Sequence, residues 1–165
     1  MLLHIIILID VSYSMQSHIG DFTRALNSFI YKLKETDCKI TIGQFSINLS
    51  FLTEYKDIRN IQEFNVQQFN IYGTTALYDA IYLTINSISK SIDSNIHNTK
   101  LFIISDGEDN ASFRYTKEDV DKIISISQNN NWEITHCHTD MNLFNVPTVT
   151  YDVNDISSIF NNLNI

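Results

Sequence analysis

The sequence predicts an α/β protein with a doubly wound, three-layer sheet that is mostly parallel. Two patterns carry this prediction: short, continuous apolar runs of strand length, and amphipathic helical stretches that alternate with them. The composition agrees, since 165 residues with 44% hydrophobic and 18% charged residues can bury a core and are not typical of a disordered chain. We expect a single domain over residues 1–165.

The first half of the chain predicts a strand, a helix and two further strands. Leu2–Ile9 is a continuous apolar run, typical of a strand covered on both faces. Apolar residues at three- and four-residue spacing predict a helix over about residues 18–35. Strands follow at Lys39–Ser46 and Leu49–Tyr55, and the connection between them is so short that they must be antiparallel. Over residues 56–71 we expect a loop with a short helix.

Helices and strands alternate more regularly in the second half. Apolar spacing predicts a helix over about residues 75–91, and Lys100–Ser105 is another buried strand. Thr116 has the features of an N-cap, with acidic residues in the first turn, and begins a helix that ends near Asn129. The remaining predicted elements are strands at Trp132–His138 and Thr148–Tyr151 and a closing helix at Asp155–Leu163.

The charge and the first apolar run exclude several classes of function. A formal net charge of −8 argues against nucleic acid or a membrane as partner, because phosphate groups need a basic face. Met1–Ile9 is shorter than the roughly 20 apolar residues of a membrane span, and it lacks the basic flank of a signal peptide. We therefore expect a cytoplasmic protein. Heavy use of Asn and Ile, as in AT-rich genomes, leaves a viral origin and a place in a virion open.

Two of the predicted parallel strands end in acidic residues. Asp10 follows the first strand, and Asp106 follows the fourth. In doubly wound sheets the functional site lies at the carboxyl ends of the strands where the winding reverses, so a reversal between these strands would bring the two carboxylates face to face. Ser12 and Ser14 alternate in the loop after the first strand, and Thr75 precedes a helix. Their hydroxyl groups can approach the same point.

These five side chains form a set of oxygen ligands. Two carboxylates at close range repel each other unless a cation or a proton lies between them. Oxygen donors without histidine or thiolate suit hard cations, Mg²⁺ or Mn²⁺ rather than Zn²⁺. Each piece alone is ordinary loop chemistry, and it is their joint occurrence at two strand ends and one helix start that predicts a metal site.

Three short motifs occur in order along the chain: Asp10-x-Ser12-x-Ser14 after an apolar strand, Gly73–Ala80 opening a helix, and Ser105-Asp106-Gly107-Glu108 after another strand. Together they resemble the von Willebrand factor type A (VWA) domain and its metal-ion-dependent adhesion site (MIDAS). The resemblance covers essentially the whole chain. It implies a Rossmann-like sheet in the order 3-2-1-4-5-6, with the third strand antiparallel at one edge.

The resemblance also implies roles for the five residues. Ser12, Ser14 and Thr75 would bind the cation directly. Asp10 and Asp106 would act mostly through water or by hydrogen bonds to the hydroxyl groups, and one of them sometimes coordinates directly. The implied cofactor is Mg²⁺ or Mn²⁺.

The chain departs from the family's pattern at two positions. The residue between the two serines, often glycine in the family, is Tyr13, and we expect its side chain to point outward. The Gly-Gly that commonly precedes the threonine is Gly73-Thr74 here. Thr75 is preferred to Thr74 as the ligand because the family's threonine stands five residues before a small helix residue, here Ala80.

The ligand set and the resemblance predict a protein-binding module and not an enzyme. A partner protein would present an Asp or Glu that displaces a water from the cation. Two alternatives stay open: a VWA-like protein that assembles a virion or complex without metal, and a phosphohydrolase of the haloacid dehalogenase type with Asp10 as nucleophile. The second mechanism usually needs another Asp two residues on, where this chain has Ser12, and a Lys near the phosphate.

Two other features receive no role in the metal site. His136-Cys137-His138 contains zinc ligands, but alternate residues of a strand share a face, so one face offers only two of them. Asp79, on the helix after the threonine motif, is expected to be an outward-pointing or capping charge.

Overall fold

One six-stranded sheet forms the centre of the protein, in a computed structural model that describes residues 2–92, 97–139, 143–152, 155–163 and 165. The strands are β1 (Leu2–Asp10), β2 (Cys38–Phe45), β3 (Leu49–Asp57), β4 (His97–Ile104), β5 (Trp132–His138) and β6 (Thr148–Thr150). Their order is 3-2-1-4-5-6, and β2 and β3 form the antiparallel pair in an otherwise parallel sheet. This confirms the predicted fold class and strand order.

Helices cover both faces of the sheet, which makes three layers. They are α1 (Ile19–Leu33), α2 (Leu77–Ser91), α3 (Lys117–Gln128) and α4 (Ser157–Asn161). The buried apolar residues of α1 and α4 belong to one core cluster, and those of α2 and α3 belong to another on the opposite face. None of the helices in the described ranges is both long and apolar enough to cross a membrane.

The first strand shows why a continuous apolar run was needed. Residues Ile5 to Ile9 are all fully buried. Because successive side chains of a strand point to opposite faces, Ile5, Ile7 and Ile9 join the core beneath α1, whereas Ile6 and Leu8 join the core beneath α2 and α3. From Ile5 onward the strand carries no polar side chain until its end, at Asp10. The buried His4 before this run has a polar partner, the Thr41 hydroxyl, 2.9 Å from its Nε2 atom.

Several element boundaries differ by one or more residues from the sequence expectation, among them those of β4 and the closing helix. β4 begins at His97, three residues before the expected Lys100, because its backbone pairs with β1 along the whole strand, starting at Leu2. The closing helix is a short one, Ser157–Asn161, instead of Asp155–Leu163. In both cases backbone pairing or packing sets the boundary, and the side-chain pattern does not.

The segment after β3 folds without a regular element. The expected short helix is replaced by two single-turn 3-10 helices, Ile58–Asn60 and Val66–Gln68. Asn27 of α1 fixes the segment between them: its side-chain nitrogen donates to the carbonyl of Phe64 at 2.8 Å, and its oxygen accepts from the Phe64 backbone nitrogen at 2.9 Å. The buried aromatic residues of the segment thereby complete the core beneath α1.

Candidate metal centre

The centre lies where β1 and β4 end side by side. The two strands are parallel neighbours, and Ile9 is paired with Ile104. The loop after β1 and the loop after β4 therefore start at the same edge of the sheet. The predicted reversal of winding between these two strands is confirmed, and it places Asp10 and Asp106 at one edge.

Asp10 is fully buried and is held by two hydrogen bonds. The backbone nitrogen of Ser12 donates to Oδ1 at 2.8 Å, and the hydroxyl of Ser105 donates to Oδ2 at 2.8 Å. Burial raises the pKa of Asp10 above its usual value, and the charge of Asp106 adds to this increase, while the bonds from Ser12 and Ser105 oppose it. A carboxylate in such surroundings gains from a nearby cation, which favours its charged form.

The hydroxyl groups of Ser12 and Ser14 lie next to each other, with their Oγ atoms 3.1 Å apart. They are placed at the start of a single 3-10 turn, Tyr13–Ser17, that follows β1. In an octahedral shell with Mg–O distances of 2.0–2.1 Å, neighbouring oxygens are about 2.9 Å apart. The spacing of the two hydroxyls therefore fits two adjacent ligands of one Mg²⁺.

Thr75 is buried just before α2, whereas Thr74 is exposed. Its backbone is fixed to the turn that follows β4. The Thr75 nitrogen donates to the side-chain oxygen of Asn110 at 2.8 Å, and its carbonyl accepts from the nitrogens of Asn110 at 2.9 Å and Ala111 at 3.1 Å. Within the described part of the chain the Thr75 hydroxyl makes no hydrogen bond, so its oxygen is available as a ligand.

Asp106 is half-buried and comes directly after Ser105. The ends of β4 and β5 hold it in place. The Ser105 nitrogen donates to the carbonyl of Cys137 at 3.1 Å, and the Thr139 hydroxyl donates to the Asp106 carbonyl at 3.1 Å. Burial is the main cause of the raised pKa of Asp10, and the charge of Asp106 adds a smaller increase.

Backbone hydrogen bonds join the first motif to the second. The Tyr13 nitrogen donates to the Gly73 carbonyl at 3.1 Å, and the Tyr72 nitrogen donates to the Val11 carbonyl at 3.1 Å. Gly73 has φ of 68°, and a Cβ there would lie 2.9 Å from Cδ1 of Ile47. The positive backbone angle favours glycine, which explains this residue of the motif, and the contact with the end of the Ile47 side chain adds to this preference.

The five predicted residues are thus collected at one edge by three interlocked loops. Asp10, Ser12 and Ser14 are directly linked, and Thr75 and Asp106 are joined to them through backbone contacts of their loops. Within the described ranges, no three His, Cys, Asp or Glu side chains form a group that could hold a metal ion. Any cation at this edge would therefore depend on the hydroxyl groups. The side chain of Tyr13 points outward and is 66% exposed, as expected.

The outward direction expected for Asp79 was wrong, because this residue is buried. Its carboxylate accepts hydrogen bonds from three consecutive backbone nitrogens: Oδ2 from Phe113 at 3.2 Å, and Oδ1 from Arg114 at 3.1 Å and Tyr115 at 2.9 Å. In return, the nitrogen of Asp79 donates to the Ser112 hydroxyl at 3.0 Å. The start of α2 and the loop after β4 thereby hold each other.

Sequence reasoning missed three residues that shape the centre: Ser105, Asn110 and Asp79. Ser105 had a usable signal, since it ends β4 beside the strand that ends in Asp10. Asn110 and Asp79 had none, because their partners are backbone groups of a loop without a periodic pattern. These residues place the candidate ligands.

The histidines of β5 lie as predicted. His136 and His138 share one face, with ring centroids 5.1 Å apart, and Cys137 is buried in the core of the other face. Neither ring nitrogen of His136 has a hydrogen-bond partner among the described residues. Burial, and to a smaller degree the charge of His138, lowers the pKa of His136 to about 4. This histidine is a core residue.

Similarity to other proteins is found at the level of structure. No protein-family profile matches the sequence, and no curated protein matches it. A von Willebrand factor type A protein from Catenulispora acidiphila superposes with a TM-score of 0.67 at 15% identity, over 96% of this chain. The VWA domain of SpRpn10 gives 0.67 at 12% over 99% of this chain. A manganese-loaded TRAP protein from Plasmodium vivax gives 0.62 at 13% over 96%.

These matches cover different fractions of the other proteins. The present chain spans 41% of the Catenulispora protein and 43% of the VWA2 protein from Sulfolobus acidocaldarius, but 96% of the SpRpn10 domain and 71% of the TRAP chain. At these identities the likeness concerns the fold, and the fold of this chain is that of the von Willebrand factor type A domain.

Proposed function

We propose that this chain is a protein-binding module that holds one divalent cation, Mg²⁺ or Mn²⁺. The residues that would hold it are Asp10, Ser12, Ser14, Thr75 and Asp106. The observation that carries the proposal is the pair of hydroxyl groups 3.1 Å apart beside the buried, doubly hydrogen-bonded carboxylate of Asp10. When bound, such a cation would supply an open coordination position that a carboxylate of a partner protein can complete.

The charge of the chain supports an acidic partner group. Serine and threonine hydroxyls are neutral ligands, so they leave more positive charge at the centre than carboxylate ligands would. The chain as a whole carries a formal charge of −8. One electropositive point on an acidic protein selects for a partner Asp or Glu placed at that point, and it disfavours contact elsewhere.

We also propose that the module is not an enzyme. The side chains gathered at the edge act as ligands or fix the ligands: Ser105 fixes Asp10, and Asn110 fixes the backbone of Thr75. A general acid or base needs a group within hydrogen-bond reach of a substrate proton, and the proposal assigns no residue to that task. The manganese-loaded protein of the same fold supports a divalent cation here but does not distinguish Mg²⁺ from Mn²⁺.

Removal of one carboxylate should weaken metal binding without unfolding the protein. We expect calorimetric titration of the wild type with Mg²⁺ or Mn²⁺ to show one site, and Asp106→Ala to bind about 10- to 100-fold more weakly. Asp37→Ala is the matched control, since Asp37 is an exposed carboxylate just before β2, at the opposite edge of the sheet. Identical titrations of wild type and Asp106→Ala would show that the assignment of the site is wrong.

Partner binding should require the same site. We expect proteins retained by the immobilised chain in Mg²⁺ to be released by EDTA, and to be lost with Asp10→Ala. Because Asp10 is buried, Ser12→Ala serves as the second variant: it removes a hydroxyl but keeps the backbone bond to Asp10. Circular dichroism of both variants reports whether they fold. A partner that binds equally well in EDTA would exclude the metal-dependent function.

A further inference from the structure

A groove lined by both apolar and polar side chains lies beside the candidate metal centre, with a volume of about 260 Å³. It runs between α2 and the β2–β3 turn, and the loop after β4 closes its upper end. We call it the β3 groove. Its large apolar side chains are Ile47, Leu49, Phe51, Leu83 and Phe113, and its polar ones are Asn48, Asp79, Ser87 and Arg114. Its volume is enough for one large side chain.

The groove exists because α2 does not cover the antiparallel edge of the sheet. Leu49 and Phe51 of β3 are only partly buried on this face. Phe51 lies flat against the sheet over Gly43, where a Cβ would come within 3.2 Å of its ring. On the opposite wall, Ala76 and Ala80 of α2 are small. The small side chains on this wall leave the depression open.

Large apolar side chains at the upper end of the groove are exposed to water. Phe113 is 73% exposed and Ile47 is 40% exposed. The guanidinium of Arg114 lies 5.2 Å from the centre of the Phe113 ring, and among the described residues no carboxylate forms an ion pair with it. Adjacent exposed apolar groups of this kind mark interaction sites, and the Arg114 guanidinium adds a positive charge at this end of the groove.

The β3 groove begins next to the threonine motif of the candidate metal centre. Two residues at the start of α2, Ala76 and Asp79, line the groove. Ala76 directly follows Thr75. The Ala76 nitrogen donates to the Ser46 carbonyl at 2.7 Å, which fixes the β2–β3 turn against the threonine motif. A chain segment that reaches the metal ligands can therefore continue into the groove.

We propose that the β3 groove receives a large apolar side chain of the partner, from the same extended acidic segment whose Asp or Glu reaches the metal centre. Arg114 pairs with a second carboxylate of that segment. The contact between the Asp or Glu and the metal centre rests on the proposed function. The groove and Arg114 supply contacts that need no metal. Specificity then comes from the spacing between the acidic and the apolar residue.

Random peptides displayed on phage are the probe that tests this. We expect selection on the full chain in Mg²⁺ to enrich peptides with a carboxylate close to a large apolar residue. Synthetic copies should bind Ile47→Asp and Arg114→Glu about tenfold more weakly than the wild type. Phe113→Ala, at a largely exposed side chain, tests the groove again if Ile47→Asp does not fold.

Two variants serve as matched controls. Ile126→Asp changes an exposed isoleucine on α3, and Lys56→Glu reverses an exposed charge at the far end of β3. Both should leave peptide binding unchanged. Peptides that require Mg²⁺ but bind all groove variants equally would overturn the groove proposal and leave the proposed function standing. Peptides that lose affinity with the groove variants but bind equally well in EDTA would support the groove and overturn the proposed metal-dependent function. A selection that enriches no peptide counts against the groove.

Discussion

Replacing Asp79 by alanine is expected to lower the free energy of unfolding by about 3 to 4 kcal/mol. The carboxylate accepts three backbone hydrogen bonds from residues 113–115. A hydrogen bond to a charged group contributes roughly 1.5 to 3 kcal/mol, and a partner left unpaired adds its own cost. Because the three bonds share one acceptor, their contributions do not add fully. Urea unfolding of the two proteins measures the difference.

Two comparisons separate this effect from the loss of a charge. Asp79→Asn keeps one acceptor oxygen and should lose less stability than Asp79→Ala. Asp121→Ala removes an exposed carboxylate that pairs with Lys117 on α3, and it should change stability by less than about 1 kcal/mol. A loss in Asp79→Ala no greater than that in Asp121→Ala would mean that the loop is held by other contacts.

Acid should destabilise the protein through His136. An unfolded histidine has a pKa near 6.5, whereas burial lowers the pKa of His136 to about 4 in the folded protein. Between these two values the unfolded chain binds a proton that the folded chain does not. The contribution of His136 to stability is therefore fully present above pH 6.5 and is lost as the pH falls toward 4. At about pH 4.5 the loss amounts to roughly 2 to 3 kcal/mol.

His136→Leu isolates this contribution, since leucine has a similar volume and does not titrate. His136 packs against the Phe144 ring, with centroids 5.3 Å apart, so an apolar replacement suits the site. We expect the wild type to lose more stability than the variant between about pH 7 and pH 4.5, as measured by urea unfolding at each pH. If the difference in unfolding free energy between the two proteins is the same at every pH, His136 takes up a proton in the folded protein as readily as in the unfolded chain.

The fold could be predicted because its central strands are buried on both faces. β5 has the expected bounds, Trp132–His138, and β1 exceeds its expected end by one residue. Such strands are apolar at nearly every position, a pattern that shows in a single sequence. The 3-10 turn at residues 13–17 was missed, and residues 56–71 could be predicted only as a loop with a short helix, since one turn of helix has no periodicity to detect.

The candidate site could be predicted only as far as its ligands. Asp10 and Asp106 follow apolar strands, and the reversal of winding between those strands brings them to one edge. The residues that hold the loops of the site in place could not be predicted in this way. Asp79 follows the first buried residue of α2 by two positions, and the helical pattern alone gives it an outward direction. Its burial arises from a polar loop some 34 residues further on, and no local pattern shows that contact.

The hydrogen bond between Asp10 and Ser105 has a consequence for how the chain folds. It joins residues 95 positions apart, across two strands that are neighbours in space. While β1, β2 and β3 can pair in the order of synthesis, the other edge of β1 stays open until β4 has been made. That edge belongs to a run of five consecutive fully buried apolar residues, the type of edge that promotes aggregation. Docking of β4 closes it and in the same step buries Asp10, so the site forms late, and folding is slowed by a contact of such high sequence separation.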